Sequence, residues 1–450
     1  MNPANCLWRP LLLAATLGLS LNALAEPKTT EFTLDNGLKV VVREDHRAPV
    51  VINEVWYKVG SSFESTGHTG ISHALEHMMF KGTTKVPAGE FSRIVNKFGG
   101  NDNAFTTSDF TGYYQMYAAD RLPLAMELEA DRMANLLVDP KEFASEIHVV
   151  MEERRMRTDD NPQAKAWERF ATVAYLTNPE RIPPIGWQSD LDVMTAADLK
   201  QWYQTWYAPN NATLVVVGDV DPAQVKTLAQ HYFGSIPARP VPVMAIPREM
   251  PEPGHRQITL TLPDNKVPVL FMAYNVPSLH TAEKPEDAYV LRMMAGVLDE
   301  GVSARLETRL VRQQQVAAEI GSSYDLYSRG DTLFSLSGVP NDGHSLTEVR
   351  DAVLAEIEKL KTDPISPEEM QRVYASIIAN DVFGRDSISD QAGNIGSLES
   401  VGLGWRTDDS LPAKLQAVTP DQIRAAARKY LIETRLSEMF LQPAPEEAKP

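Results

Sequence analysis

The chain holds 450 residues, 43% of them hydrophobic and 23% charged, which is ample for packed cores, suits two to three domains, and excludes disordered and fibrous classes. Sixty acidic residues against 43 basic ones give a net charge of −17, a surface that repels phosphate backbones, so nucleic acid is not expected as a partner. Cys6 is the only cysteine. An intramolecular disulfide, a thiolate metal site and a cysteine nucleophile are thereby excluded from the folded body.

In chain order, Arg9, the apolar run Leu11 to Leu21 and Ala23-Leu24-Ala25 before Glu26 read as a secretory signal over residues 1–25 with a small-x-small cleavage site. The expected product is periplasmic or secreted. The apolar run is too short to span a bilayer comfortably, and no second one follows, so no stable membrane span is expected after cleavage. Phe32 to Arg43 reads as two strands joined by the turn Asp35-Asn36-Gly37.

The segment Gly70 to Gly82, GISHALEHMMFKG, concentrates the chemistry. At helical spacing Ile71, Leu75, Met78 and Met79 share one face, while His73, Glu76 and His77 share the opposite one. Two imidazoles four positions apart can ligate one zinc ion, and the glutamate beside them can reach the water such an ion would hold. With nine histidines in the chain, HxxEH would arise by chance about once in a hundred such sequences.

Asn101 to Tyr117 alternates as adjacent strands do. An unpaired strand edge there could receive an extended peptide, whereas a central strand pair would leave no free edge. A helix is expected over Asp120 to Val138. The next helical run, from Ser145, offers Glu146, Glu152 and Glu153; Glu146 and Glu153 fall on one face two turns apart, and Glu152 points about 100° away. A catalytic zinc site needs a third protein ligand, and with no further paired histidines a carboxylate is the better candidate. One of these glutamates could bind metal while another orients a ligand.

Ile236 to Gly254 holds six prolines without helical or strand periodicity, so residues 236–255 read as an extended linker. It separates residues 26–235 from residues 256–450. A weak repeat relates the halves: the run from Met194 matches that from Val418, each a Thr-capped helix (Thr195, Thr419) leading into an apolar strand. A strand at Gln257 to Leu262 and a helix over Ser345 to Lys361 complete the pattern. The expected fold class is α+β, with two similar domains, each a mainly antiparallel sheet covered by helices.

His73-x-x-Glu76-His77, followed by a glutamate 76 residues beyond His77, resembles the M16 family of zinc peptidases, the pitrilysin-like, insulysin-like and mitochondrial-processing-peptidase-like enzymes. The resemblance covers nearly the whole chain after the signal. It runs through GSSFESTGHTGISHALEHMMFKGT from Gly60, GGNDNAFTTSDFTGYY from Gly99 and the Glu146 to Glu153 helix to a degenerate second half. It implies one zinc per chain, Glu153 as third ligand, Glu146 as the accompanying acidic residue and Glu76 as general base. It also implies that the strand carrying Asn103 and Ala104 binds substrate backbone.

A chain of this length resembles the half-length branch, whose members pair two chains around an enclosed cavity. Active members or their partners carry an Arg followed about seven residues later by Tyr in the second half. Here Arg312 is present, but Ala318 stands where the tyrosine would be, and AYVLRMMAGVLDEG from Ala288 replaces the zinc helix. A zinc metalloendopeptidase acting on peptides or unfolded segments with a homologous partner chain is therefore expected. A homodimer or single clamshell using Tyr324 or Tyr327 is the runner-up for assembly. A non-catalytic assembly or peptide-binding subunit is the alternative for function.

Overall fold

In the computed structural model, which describes residues 28–445, the Asp35-Asn36-Gly37 turn folds β1 (Thr29–Thr33) back onto β2 (Lys39–Glu44). The expected signal segment lies outside the described residues. Four more strands complete the first sheet: β3 (Val50–Tyr57), β4 (Asn101–Thr106), β5 (Thr111–Ala118) and β6 (Ala212–Gly218). Their order is β1-β2-β6-β3-β5-β4, antiparallel except where β2 runs parallel to β6. The second sheet contains β7 (Arg256–Leu262), β8 (Val269–Val276), β9 (Ala317–Tyr324), β10 (Thr332–Pro340) and β11 (Leu436–Pro443) in the order β7-β11-β8-β10-β9. Its only parallel pair is β7 with β11. Without β1, the two sheets have the same strand order and the same single parallel pair, so the repeat legible around Thr195 and Thr419 extends to the whole topology.

The local signals act as expected where they rest on capping. Thr195 and Thr419 each close a capping box, with Asp198 and Gln422, at the start of the helices Ala196–Trp206 and Pro420–Tyr430. Ser345 does the same with Glu348 for the helix Leu346–Thr362. The helix expected from Asp120 begins at Leu122, where Pro123 suits a first turn, and ends at Asn135. The helix expected from Ser145 begins earlier, at Pro140, because Asp139 caps it through the backbone N–H groups of Lys141 and Glu142. From Ile236 the chain runs to Gly254 without helix or strand.

Packing crosses between the halves. Val40 and Val42 of β2 face the helices of the first half, while Val41 joins Ile52, Trp56, Val215 and Val217 on the other face. That face is covered by the helix Ile388–Ser400 from the second half, through Ala392 and Ile395. Reciprocally, the helix Pro162–Ala174 of the first half lays Ala166, Phe170 and Ala174 on Val269, Ala273, Met439 and Leu441 of the second sheet. In the second half the helix Pro285–Asp299 takes the place of the HxxEH helix and buries an apolar series from Ala288 to Leu298.

No helix among the described residues is long and apolar enough to cross a membrane.

Candidate metal centre and its surroundings

The HxxEH segment forms the helix Ile71–Met78. Its expected two-faced character does not extend to solvent: His73 and Glu76 are buried along with Ile71, Leu75 and Met78, and only His77 is half-buried. The reason is that the helix is enclosed by β4 on one side and by the helices Pro140–Arg154 and Ala196–Trp206 on the others. The polar face therefore meets protein groups that fix each side chain.

His73 Nε2 lies 3.7 Å and His77 Nε2 3.2 Å from Glu153 Oε2, and the ligand atoms of the three residues all fall within 4.8 Å of one another. A tetrahedral zinc with bonds of about 2.0–2.1 Å keeps its ligand atoms about 3.3 Å apart; the two distances to Glu153 are close to that, and small side-chain rotations would bring all three donors onto one ion. The three glutamates of the second helix separate cleanly. Glu146 lies behind His77, its Oε1 2.9 Å from His77 Nδ1 and its Oε2 2.5 Å from Lys81 Nζ. Glu153 lies in front and pairs with Arg157 at 2.6 Å. Glu152 points outward to Arg155.

These contacts set the charge states. Burial, with His77 close by, lowers His73 to about 4. Burial also opposes protonation of His77, but the Glu146 and Glu153 carboxylates outweigh it and raise His77 to about 9. Glu153 is held below its ordinary value by its bond to His77. For Glu146 burial acts the other way, yet His77 and Lys81 lower it. Burial raises Glu76, against the effect of its bond from Thr106.

Several residues of the centre escaped sequence reasoning. Thr106 Oγ1 donates to Glu76 Oε2 at 2.5 Å. Gly70, at the helix N-cap with φ of +84°, has no side chain to cap with; Glu64 does so instead, accepting from Gly70 N at 2.7 Å and Ser72 N at 2.8 Å. Asp190 accepts from Gly67 N and Thr69 N, both at 3.1 Å, and from Thr69 Oγ1 at 2.7 Å, fixing the approach to the helix. Arg154, next to Glu153, donates to Gly186 O and Glu168 Oε2, each at 2.7 Å. Gly186 in turn sits where a Cβ would lie 2.6 Å from Gly70 Cα, so the two ligand-bearing helices are locked through a contact that only glycine permits. The one cheap signal for these residues was Gly70 before the HxxEH helix; Glu64 acts across a loop with no period, and Thr106, Asp190 and Arg154 act through contacts 14 to 123 residues away in sequence.

Among the described residues β4 ends the sheet and pairs only with β5, so the segment Asn101–Thr106 has a free edge rather than forming a central pair. On that strand the Ala104 N–H donates to the Oδ1 of its exposed neighbour Asn103 at 2.9 Å. Beside His73 a pocket of about 510 Å³ is lined by Trp167, Ala171, Tyr175, Ile182 and Ile185 together with Arg157. Arg312 stands apart from this cluster: it lies in the short π-helical segment Glu307–Gln313 and pairs with Glu307 at 3.0 Å. Ala318 is on β9, the edge strand of the second sheet. Neither tyrosine considered as a substitute is free to reach the centre. Tyr324 is buried with its hydroxyl on Pro277 O at 2.7 Å, and the Tyr327 hydroxyl is buried beyond the end of β9. Both are consumed in packing the second half.

Residues 39–183 match the sequence profile of Insulinase (Peptidase family M16), and residues 194–377 match that of the Peptidase M16 inactive domain. The zinc protease PqqE of Helicobacter pylori is 32% identical over 439 residues, covering 96% of this chain and 97% of that protein. A crystal structure of a protease from Helicobacter pylori superposes with a TM-score of 0.86 at 30% identity over 93% of this chain and 100% of that one. The periplasmic protease PqqL from Escherichia coli shares the fold, with a TM-score of 0.77 at 20% identity; 92% of this chain matches 47% of that longer one. The chain belongs to the M16 family of peptidases, as a half-length member with both of the family's domains.

Proposed function

We propose that the chain is an exported zinc metalloendopeptidase that hydrolyses peptides or unfolded segments, with one zinc on His73, His77 and Glu153 and with Glu76 as general base. The observation that supports this best is the convergence of the three donor atoms within 4.8 Å, with Glu76 held beside them by the free edge strand. Zinc, when bound, polarises the scissile carbonyl and makes water acidic enough to attack it.

The chain's own residues do the remaining work. Glu76 takes the proton from the attacking water and gives it to the leaving amine, a role suited by a carboxyl whose basicity burial has raised. Thr106 orients that carboxylate. Glu146 holds Nδ1 of His77 and leaves Nε2 facing the ligand cluster. The substrate lies along β4 as an added strand, with Ala104 N–H released from Asn103 to donate to it. The pocket beside His73 takes a side chain next to the scissile bond.

Export is proposed from the signal reading of residues 1–25. A homologous partner chain is proposed because this chain aligns with about half of the longer PqqL chain and has Ala318 where the family's tyrosine would be. That same alanine favours, as a second reading, a peptide-binding subunit without turnover. Zinc content and peptide cleavage by wild type and Glu76→Gln decide between them. The proposed enzyme holds one zinc in both forms and cleaves only as wild type; zinc without cleavage, even with a partner present, supports the second reading.

A further inference from the structure

Among the described residues the buried carboxyl of Glu54 has no cation to balance it. Glu54, at the middle of β3, is 4% exposed on the sheet face opposite the metal helix. Its Oε2 accepts from Trp56 Nε1 at 2.8 Å, and among the described residues no charged neighbour offsets the burial, which raises the carboxyl to about 8. A carboxylate withdrawn from water without a partner is costly.

Beside it a pocket of about 290 Å³ opens between the sheet and the helix Ile388–Ser400, lined by Trp56, Phe105 and Tyr114 along with Asn101 and Gly393. The helix itself makes the space. It comes down onto the sheet at Gly396, where a Cβ would sit 2.0 Å from the Trp56 indole, and it leaves an opening at Gly393, where a Cβ would meet nothing within 4 Å. Trp56 and Phe105 stand 5.0 Å apart at 66°, edge to face, and both line the pocket with Glu54.

We propose that this pocket binds a small organic cation, a guanidinium or quaternary ammonium group, with Glu54 as counter-ion and Trp56, Phe105 and Tyr114 supplying ring faces. Aromatic faces around one desolvated carboxylate attract a diffuse, weakly hydrated cation. A divalent metal would need several oxygen ligands, and a single carboxylate does not provide them. A neutral or anionic ligand would gain nothing from a carboxylate at this position, whereas a cation favours its ionised form. Phe105 precedes Thr106 on β4, so the occupant touches the same edge strand that holds Glu76, from its other face.

The full chain is titrated with methylguanidinium chloride and with tetramethylammonium chloride, against sodium chloride at equal ionic strength, by calorimetry and tryptophan fluorescence. Saturable binding of at least one organic cation, absent with sodium, is expected; the two titrations tell which head group the pocket prefers. Glu54→Gln should weaken it about tenfold or more. Gly393→Met, which fills the opening and leaves Glu54 in place, should abolish it. Circular dichroism verifies both folds, and Gly393→Met alone decides if Glu54→Gln does not fold. No saturation beyond the sodium control, or wild-type affinity in a folded variant, overturns the proposal.

Discussion

Thr106 Oγ1 donates to Glu76 Oε2 at 2.5 Å, so the last residue of the free edge strand holds the carboxylate that stands between the two histidines. The edge that would receive a peptide and the group that would move a proton are thus one hydrogen bond apart. Thr106→Val keeps the side-chain shape and removes the bond. A hydrogen bond to a charged group contributes about 1.5–3 kcal/mol, so turnover should fall roughly 10-fold to 100-fold with zinc content unchanged. Glu76→Gln should cost about 10²-fold to 10⁴-fold, also with zinc retained. Metal analysis beside steady-state kinetics checks both; loss of zinc from Glu76→Gln would make Glu76 a ligand instead.

The three glutamates of the Pro140–Arg154 helix should respond in a fixed order. Glu153 faces both imidazoles, so Glu153→Ala should strip the metal. Glu146 touches only the far nitrogen of His77, and its loss should weaken zinc affinity or rate by about 10-fold to 100-fold. Glu152 makes its contacts with Arg155 at the surface, and Glu152→Ala should be silent. Zinc stoichiometry across the series tests the order, and a metal-free Glu152→Ala protein would refute it.

How far the sequence could carry these roles depends on distance along the chain. HxxEH needs only the helical period, and the capping boxes at Thr195 and Thr419 need only three residues, so both were legible. Helical spacing put Glu146 and Glu153 on one face but could not say which lies behind His77 and which in front, because that is set by how two helices cross; the family resemblance supplied the ranking. Thr106, Glu64 and Asp190 act on groups 30, 6 and 121 or more residues away through loops and strands with no period of their own. The exchange of the helices Pro162–Ala174 and Ile388–Ser400 between sheets was equally silent, since an apolar helix face does not name the sheet it covers.

The metal-free centre should show opposite pH dependences for stability and for zinc. His77, raised from an ordinary 6.5 to about 9 by Glu146 and Glu153 against the effect of burial, is protonated at neutral pH. Its raised value contributes stability that is fully present below about 6.5 and is lost as the pH rises through about 9. Zinc needs an unprotonated Nε2, so apparent zinc affinity should rise across that same window with release of about one proton per ion. His73, already neutral there because burial lowers it to about 4, adds nothing to the slope. Chelator competition and melting of the metal-free protein from pH 6.5 to 9 measure both; an affinity flat across the window would remove His77 as a ligand.

The second half sets the last expectation. Arg312 is paired with Glu307, Ala318 lacks a hydroxyl, Tyr324 is buried, and Tyr327 is partly buried with its hydroxyl enclosed in the second half's own packing. None of them is expected to complete a two-sided site around a substrate on β4 of the same chain. The β4 edge and the pocket beside His73 are meanwhile open to a second body. The partner proposed above is accordingly expected to be another chain of the same fold. Purified alone, the protein should bind zinc yet cleave slowly. Adding a homologous chain that carries the Arg and Tyr pair should raise the rate without changing zinc content, and Ala318→Tyr should recover part of that gain only if a second copy can face the first. Turnover measured against protein concentration, with mass in solution, separates the cases: a rate per chain that is already maximal in a monomer would show that no second body is needed.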